Sequence, residues 1–245
     1  VGKLLGEGSF GQVRRGVFTD SFGKKTQVAV KEFKIREEDQ PIENIQEEIH
    51  LLRAIGEFRY IPTVINHIVT PFFAAMVMDF MDGGIFDDMD CKLSDEEVKT
   101  YVRQLIACLM VMCVVELCHR DIKPENAGLK TDAVGNIVMQ LLDFGLGRLR
   151  AERATTQAGT PGYMAPEVNA GNGRKTYHGI SADMWSAGVT VVELMLSAEA
   201  FDEVKKKKAT QKSDLDTVGR ERIPPTFEQR ADPPIKYNMA TMGGP

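Results

Sequence analysis

Residues 119–126 read His-Arg-Asp-Ile-Lys-Pro-Glu-Asn, and Asp143-Phe144-Gly145 follows directly after an apolar stretch, Val138 to Leu142. The two strings bring together an acid, a lysine, an asparagine and a second acid. Carboxylate and amide oxygens are the ligands that Mg²⁺ prefers, and lysine is a common binder of phosphate groups. The strings therefore predict loops that position a metal-bound phosphate at the end of a strand.

A glycine-rich segment near the start of the chain reads Gly6-Glu7-Gly8-Ser9-Phe10-Gly11-Gln12-Val13. Glycines let backbone N–H groups approach phosphates closely, although they also serve ordinary turns. A dinucleotide-binding loop would be followed by a helix. Here a predicted strand, Val13 to Phe18, follows, so the segment favours a glycine loop within a β-hairpin.

Lys31 lies on a predicted strand, Gln27 to Phe33, among apolar residues. By itself it is equally consistent with an ordinary surface lysine. The segment Pro41 to Ala54 has the apolar spacing of an amphipathic helix, and it carries two adjacent acids, Glu47 and Glu48. Glu48 borders the apolar face and Glu47 points further round, so Glu48 is the acid expected to lie at the inward face of the helix.

Further helical segments are predicted later in the chain. Ser94 and Glu97 have the spacing of a capping box, which opens a helix. The apolar run Leu105 to Cys118 is predicted to be a buried helix, since it is too short to span a bilayer. A second apolar helix is predicted from about Ala182 to Leu196.

The composition is that of a soluble globular protein: 245 residues, 43% hydrophobic and 27% charged. A net charge of −5 gives no support to nucleic-acid or membrane binding. The cysteines form no Cys-x-x-Cys pair, so reduced thiols are predicted. No signal peptide is recognised at the start, so the default location is the cytoplasm, with the nucleus as the alternative.

Taken together, these motifs resemble the eukaryotic-type protein kinases, from residue 2 to about residue 200. Lys123 and the segment Gly159 to Glu167 (GTPGYMAPE) are similar to the serine/threonine kind and, more faintly, to calcium/calmodulin-dependent-like kinases. The resemblance implies an ATP-dependent enzyme that uses Mg²⁺ and transfers the γ-phosphate to a protein serine or threonine hydroxyl. The alternative is a non-catalytic kinase-like scaffold or binding module.

The fold implied by the resemblance is α+β and bilobal. A small β-rich N-terminal lobe (1–81) is expected before a larger, mainly α-helical C-terminal lobe (82–202). The last helices of the family are not recognisable after Leu196, so the kinase domain is expected to be truncated relative to the family. Residues 203–245, which are Lys-rich and then Pro/Gly-rich, are expected to form a poorly ordered tail.

The resemblance also assigns catalytic roles. Asp121 would accept the proton of the attacking hydroxyl, and Lys123 would lie against the γ-phosphate. Asn126 and Asp143 would be the ligands of Mg²⁺. Asp183, in the string Asp183-Met184-Trp185, would brace the catalytic loop from a buried helix.

Nucleotide binding is assigned to the glycine loop, to the strand of Lys31 and to the segment after the gatekeeper position. Lys31, held by Glu48, would contact the α- and β-phosphates. The implied nucleotide-binding residues are Gly6, Glu7, Gly8, Ser9, Phe10, Gly11, Val13, Ala29, Lys31, Met78, Asp79 and Met81.

Activation and substrate contacts follow from the same resemblance. Thr160 would contact Asp121 and Lys123. Arg120 would pair with a phosphate that an upstream kinase places on Thr156, with Thr155 as the second candidate. For both loop threonines, a plain polar loop is the equal alternative.

The implied partner is a protein with a serine or threonine acceptor. Acids at Glu125 and Glu193 would favour basic residues before the acceptor, although both carboxylates are equally compatible with solvation or structural pairing. No nucleic acid and no membrane partner is implied.

Gly128 departs from the family pattern. It stands two positions after Asn126, where the family has a large apolar side chain under the adenine ring. Loss of such a contact costs about 2–3 kcal/mol when nothing fills the gap. Gly128 is therefore expected to weaken nucleotide binding. A second departure is that no arginine is recognised to pair with Glu167, and a buried, unpaired Glu167 would be costly.

Overall fold

The computed structural model of the chain describes residues 2–8, 11–35, 42–88, 93–149, 158–169 and 177–196. The predicted tail at 203–245 and the loop threonines Thr155 and Thr156 lie outside these residues, as do Ser9 and Phe10. No helix in these described ranges is long and apolar enough to cross a membrane.

The N-terminal part is a five-stranded antiparallel sheet with the order β1-β2-β3-β5-β4. The strands are β1 (Leu4–Gly8), β2 (Gly11–Thr19), β3 (Lys25–Phe33), β4 (Val64–Val69) and β5 (Ala74–Asp79). β1 and β2 form the hairpin that the glycine-rich segment predicted. In the β2–β3 register Val13 faces Lys31, and in the β3–β5 register Lys31 faces Met76. The strands therefore bring the glycine loop, Lys31 and the end of β5 to one face.

Helix α1 (Ile42–Ile55) packs on this sheet through its apolar face. Its bounds differ by one residue from the prediction of Pro41 to Ala54. Ile45 and Ile49 are buried in the main core, and Glu48 lies on the same buried face. Glu47, by contrast, is exposed. The helix therefore directs a carboxylate towards β3.

The C-terminal part is mainly helical, with short strands around the polar loops. The helices are α2 (Asp95–Val114), α3 (Pro166–Asn169) and α4 (Gly179–Met195), and the strands are β6 (Leu117–Cys118), β7 (Ala127–Thr131), β8 (Ile137–Leu141) and β9 (Arg148–Leu149). β6 pairs with β9, and β7 with β8. The β-rich sheet followed by a helical part confirms the bilobal α+β expectation.

The prediction that Leu105 to Cys118 forms a buried helix is confirmed as far as Val114 and was wrong for the last four residues. Helix α2 ends at Val114, and Glu116 adopts a left-handed φ of 55°, which ends helical propagation. Leu117 and Cys118 then form a strand. The helical part of the run is also only half buried, since one face is exposed at Ile106, Met110 and Val114.

One apolar core joins the sheet to the helical part. It includes Met76 of β5, Ile45 of α1, Met112 of α2 and Leu141 of β8. The backbone adds a connection, because the N–H of Leu141 donates to the carbonyl oxygen of Tyr60 at 2.9 Å. The polar loops at the end of β8 are therefore held against the sheet.

The capping box at the start of α2 gives the first testable prediction. Ser94 Oγ accepts from the N–H of Glu97 at 3.4 Å, and a Glu97 carboxylate oxygen accepts from the N–H of Ser94 at 2.8 Å. Ser94→Ala removes the side-chain acceptor and is expected to lower the free energy of unfolding by about 1 kcal/mol. Urea denaturation measures this, with Ser94→Thr as the control that keeps the cap. Equal stability of the alanine variant and the parent would contradict it.

Candidate active site

The loop from His119 to Asn126 is built on a buried, neutral histidine. His119 is fully buried, and its ring packs edge-on against Phe144 with the centroids 4.7 Å apart. Its Nε2 donates to the carbonyl oxygen of Leu142 at 2.8 Å, and its Nδ1 accepts from the N–H of Asp121 at 3.2 Å. Burial lowers the pKa of His119, which keeps the ring in this neutral form. The ring therefore fastens the loop to the segment that precedes Asp143.

Asp183 of α4 fixes the same loop through hydrogen bonds to its backbone. Its carboxylate accepts from the backbone N–H of His119 at 2.6 Å and of Arg120 at 2.7 Å, and the residue is 1% exposed. Arg120 has a φ of 73°, an uncommon conformation for a residue with a Cβ. Burial raises the pKa of Asp183 to about 7, although the two N–H donors and the charge of Arg120 oppose the rise. Asp183 thus stabilises a strained turn immediately before Asp121.

Asp121 is surrounded by three hydrogen-bond donors. Thr160 Oγ1 donates to Asp121 Oδ1 at 2.7 Å, and Lys123 Nζ lies 3.1 Å from Oδ2 and donates to Thr160 Oγ1 at 2.6 Å. Asn126 Nδ2 donates to Oδ2 at 3.1 Å and to the Asp121 carbonyl oxygen at 2.8 Å. The structure therefore brings Asp121, Lys123, Asn126 and Thr160 into one network, and the contacts of Thr160 with Asp121 and Lys123 are those that the family resemblance implied.

Lys31 is a buried cation between two carboxylates. Its Nζ lies 2.6 Å from Glu48 Oε1 and 2.7 Å from Asp143 Oδ1, and Lys31 and Glu48 are 5% and 3% exposed. Burial alone would lower the pKa of Lys31, but the charges of Asp143 and Glu48 hold it above its ordinary value. The choice of Glu48 over Glu47 therefore agrees with the geometry.

The two carboxylates that share Lys31 differ in their electrostatics. Burial raises the pKa of Glu48 in spite of the nearby ammonium, and Glu48 Oε2 is buried without a hydrogen-bond partner among the described residues. Burial also acts to raise the pKa of Asp143, but Lys31 outweighs it and holds that pKa below the ordinary value. The lowered pKa favours the ionised form of Asp143, which is the form that a carboxylate needs in order to bind a metal.

A cavity of about 540 Å³ lies between the sheet and the helical part, and Lys31, Asn126 and Asp143 line it. Most of the residues predicted to bind nucleotide line the same cavity: Gly6, Glu7, Gly8, Gly11, Val13, Ala29, Lys31, Met78, Asp79 and Met81. The volume falls within the usual range for a small-molecule site. The side of Lys31 and Asp143 is charged, and the side of Val13, Ala29 and Met81 is largely apolar.

The donor set fits a magnesium ion held partly by phosphates. Asn126 uses its amide nitrogen for Asp121, which leaves its amide oxygen as a ligand, and Asp143 contributes a carboxylate oxygen. Among the described residues there is no group of three or more His, Cys, Asp or Glu side chains suited to a metal. Mg²⁺ usually takes one or two protein carboxylates and completes its shell with phosphate and water.

The remaining predicted residues have mixed surroundings. Arg120 is buried, and its Nε donates to the Tyr177 hydroxyl at 3.1 Å. Glu125 is exposed at the cavity edge. Glu193 accepts from the Tyr163 hydroxyl at 2.5 Å, which corresponds to the structural pairing that the sequence left open. Glu167 is exposed, so the penalty expected for burying it unpaired does not arise.

The expectation of a gap at Gly128 was wrong. A Cβ built at Gly128 would lie 2.5 Å from Met81 Cγ and 3.0 Å from Leu142 Cδ1, so the space is already filled. Leu142 also lines the cavity, and the sequence had not predicted it as a nucleotide-binding residue. Leu142 directly precedes Asp143, and that adjacency was the available signal.

A family model and several known proteins are similar in sequence to this chain. Residues 1–240 match the family model described as "Protein kinase domain". Serine/threonine-protein kinase SRK2D of Arabidopsis thaliana is 31% identical over 220 residues, which cover 86% of this chain and 57% of that protein. Serine/threonine-protein kinase SAPK2 of Oryza sativa subsp. japonica is 33% identical over 214 residues, which cover 82% and 58%.

A third relative is CBL-interacting serine/threonine-protein kinase 24 of Arabidopsis thaliana. It is 31% identical over 212 residues, which cover 83% of this chain and 45% of the relative. The chain therefore spans less than two thirds of the length of these relatives.

Asp183 gives a prediction about stability and its pH dependence. Asp183→Ala leaves two buried N–H groups without an acceptor and is expected to lower the free energy of unfolding by about 3 kcal/mol. Asp183→Asn, the matched control, keeps one hydrogen-bond acceptor, so its free energy of unfolding should fall by less. Urea denaturation measures both variants, and an alanine variant as stable as the parent would contradict the role.

The raised pKa of Asp183 also predicts how the stability difference between the parent and the Asp183→Asn variant changes with pH. The folded-state pKa of about 7 lies above the unfolded value, so folded protein binds the proton more tightly. The stability of the parent relative to the Asp183→Asn variant is therefore largest at low pH, and this advantage is lost as pH rises through about 7. Urea denaturation midpoints of the parent and of Asp183→Asn, measured from about pH 4.5 to 8.5, check this prediction. A pH-independent difference would contradict it.

Proposed function

The chain belongs to the protein kinase family, and on that basis we propose that it is an ATP-dependent protein serine/threonine kinase. The observation that carries the proposal is the buried contact of Lys31 with both Glu48 and Asp143. The proposal is supported because the cation and the carboxylate that would hold Mg²⁺ lie together at the charged end of the cavity, where Asn126 links them to the network around Asp121. A binding module that transfers no phosphate has no need for an acid such as Asp121 to be held in a network beside the Lys31–Asp143 contact.

Nucleotide binding would use the two ends of the cavity differently. The base fits the apolar end near Ala29 and Met81, and the phosphates fit the charged end near Lys31. Backbone N–H groups of the glycine loop would approach the phosphates without steric hindrance from side chains. Mg²⁺, held by Asn126 and Asp143, would supply neutralisation of phosphate charge.

Transfer requires that the acceptor hydroxyl lose its proton as its oxygen bonds to the γ-phosphorus. The bond from that phosphorus to the β–γ bridging oxygen breaks, and ADP leaves. Asp121 would take the hydroxyl proton, because its carboxylate is fixed by Thr160 and Asn126. Lys123 would place positive charge beside the transferred group. Positioning and charge stabilisation are the main demands of this reaction.

We propose a serine or threonine of a protein as the acceptor. The support comes from Lys123, which is fixed by Thr160, and from the serine/threonine kinases among the relatives. A preference for basic residues before the acceptor is proposed on the exposed carboxylate of Glu125 at the cavity edge. Activation by an upstream kinase at Thr156 is a further part of the proposal, with Arg120 as the partner of the phosphate.

The decisive test is transfer of labelled γ-phosphate from Mg²⁺–ATP to a generic basic protein by the purified chain. The parent is expected to label serine and threonine. Asp121→Asn keeps the hydrogen-bonding shape but removes the base, so it should lower the rate at least about a hundredfold. Thermal stabilisation by Mg²⁺–ATP should remain in the variant. No transfer and no stabilisation in the parent would support a scaffold instead.

Lys31→Met gives a second prediction for the same assay. Loss of the cation should lower the transfer rate about a hundredfold, because the phosphates lose an oriented charge. The variant is expected to fold, since Glu48 has a raised pKa and can take a proton when the ammonium is removed. Lys25→Met, an exposed lysine on the same strand, is the matched control and should transfer like the parent. Equal rates for Lys31→Met and Lys25→Met would refute the assignment.

A further inference from the structure

The backbone at Gly128 is covered by side chains from two other segments. The three heavy atoms nearest to a Cβ built there are Met81 Cγ at 2.5 Å, Leu142 Cδ1 at 3.0 Å and Met81 Sδ at 3.0 Å. Gly128 is not among the glycines with a positive φ, so its backbone conformation is open to any residue. The glycine is therefore required by packing alone.

The backbone around Gly128 cannot move away to make room. In the β7–β8 register it faces Gln140, and it forms an isolated bridge with Ile85 on its other side. The next residue, Leu129, donates to the carbonyl oxygen of Gly84 at 2.9 Å and accepts from the N–H of Gly83 at 2.9 Å. Any side chain at position 128 must consequently displace Met81 or Leu142.

Met81 and Leu142 both line the cavity, whereas Gly128 does not. Met81 is only 8% exposed, and it follows β5 at the apolar end of the cavity. Leu142 reaches the same place from the end of β8, where its N–H donates to the Asn126 carbonyl oxygen at 2.8 Å. Val13 and Ala29, from the sheet, lie on the cavity wall that β2 and β3 form.

We propose that Met81 and Leu142 together form the apolar floor of the base-binding site, in place of a side chain at position 128. The inference rests on the proposed function, since it takes a nucleobase as the occupant of the apolar end. A methionine side chain is unbranched and adapts its shape. Met81 can therefore fill the space that a side chain at position 128 would otherwise occupy.

The proposal predicts a reciprocal pair of substitutions. Met81→Ala removes the part of the floor that Met81 forms and opens the space next to the Gly128 backbone. Gly128→Leu overfills the space while Met81 is present, because the new Cβ would lie too close to Met81 Cγ. In the double variant the leucine occupies the volume that the methionine vacates. The two substitutions should therefore compensate each other.

Two measurements test this prediction, and neither relies on catalysis. Calorimetric titration with adenosine and with ADP should show Met81→Ala binding both about tenfold more weakly (about 1.4 kcal/mol), because the floor contacts the base that both share. Without nucleotide, Gly128→Leu should lower the thermal midpoint by about 4 °C. The double variant should recover most of both losses.

Met78 offers a matched control, because it also lines the cavity but is not among the atoms nearest to the position 128 Cβ. When Met78→Ala is combined with Gly128→Leu, the losses of nucleotide affinity and of thermal midpoint should add, as expected for residues that do not share a space. Additive losses in the Met81–Gly128 pair would overturn the proposal. So would an adenosine affinity that Met81→Ala leaves unchanged.

The outcomes also separate this inference from the proposed function. If the parent binds neither adenosine nor ADP, the kinase proposal fails together with the floor. If the parent binds nucleotide but positions 81 and 128 show no coupling in affinity or in the midpoint, only the floor fails. Compensation in both measurements supports the two proposals together.

Discussion

The buried ammonium of Lys31 is the interaction on which the rest of the site depends. A lone cation at 5% exposure would be too costly to keep charged, so it requires the carboxylates of Glu48 and Asp143. Those carboxylates come from α1 and from the loop after β8. The ion pairs therefore exist only when the helix packs on the sheet and the sheet meets the helical part. Because one cation serves two acids, the charge of each of the three groups shifts the pKa values of the other two.

The loop around Asp121 follows a second constraint, which is the satisfaction of buried backbone donors. Arg120 adopts a left-handed conformation, and Asp183 accepts from both N–H groups at the turn. The carboxylate is itself costly to bury, as the raised pKa of Asp183 indicates. The polar contacts are thus used to hold one loop shape, in which Asp121 faces Thr160 and Lys123. Strain in the turn and the fixed position of Asp121 have the same source.

Local patterns were sufficient for most of the elements and for the selection of chemical residues. The capping box at Ser94 predicted the start of α2, and the apolar spacing around Glu48 distinguished it from Glu47. The same reasoning failed at the end of the run Leu105 to Cys118, because an apolar run does not reveal that Glu116 leaves the helical region. It also failed at Gly128, where a missing side chain was interpreted as a missing floor. Met81 is distant from Gly128 in the chain, so sequence spacing could not show that its thioether fills the space.

By itself, the sequence determined which acids, amides and cations the chain possesses and which strands and helices carry them, since these depend on residue type and local periodicity. The tertiary structure alone decided which of them meet. It paired Lys31 with Asp143 across a separation of 112 residues, placed Asp183 beneath the Arg120 turn, and filled the space above Gly128 with Met81 and Leu142. The physical reason is that ion pairing, donor satisfaction and close packing act over a few ångströms in space, and the folded core brings residues to that distance regardless of their separation in the chain.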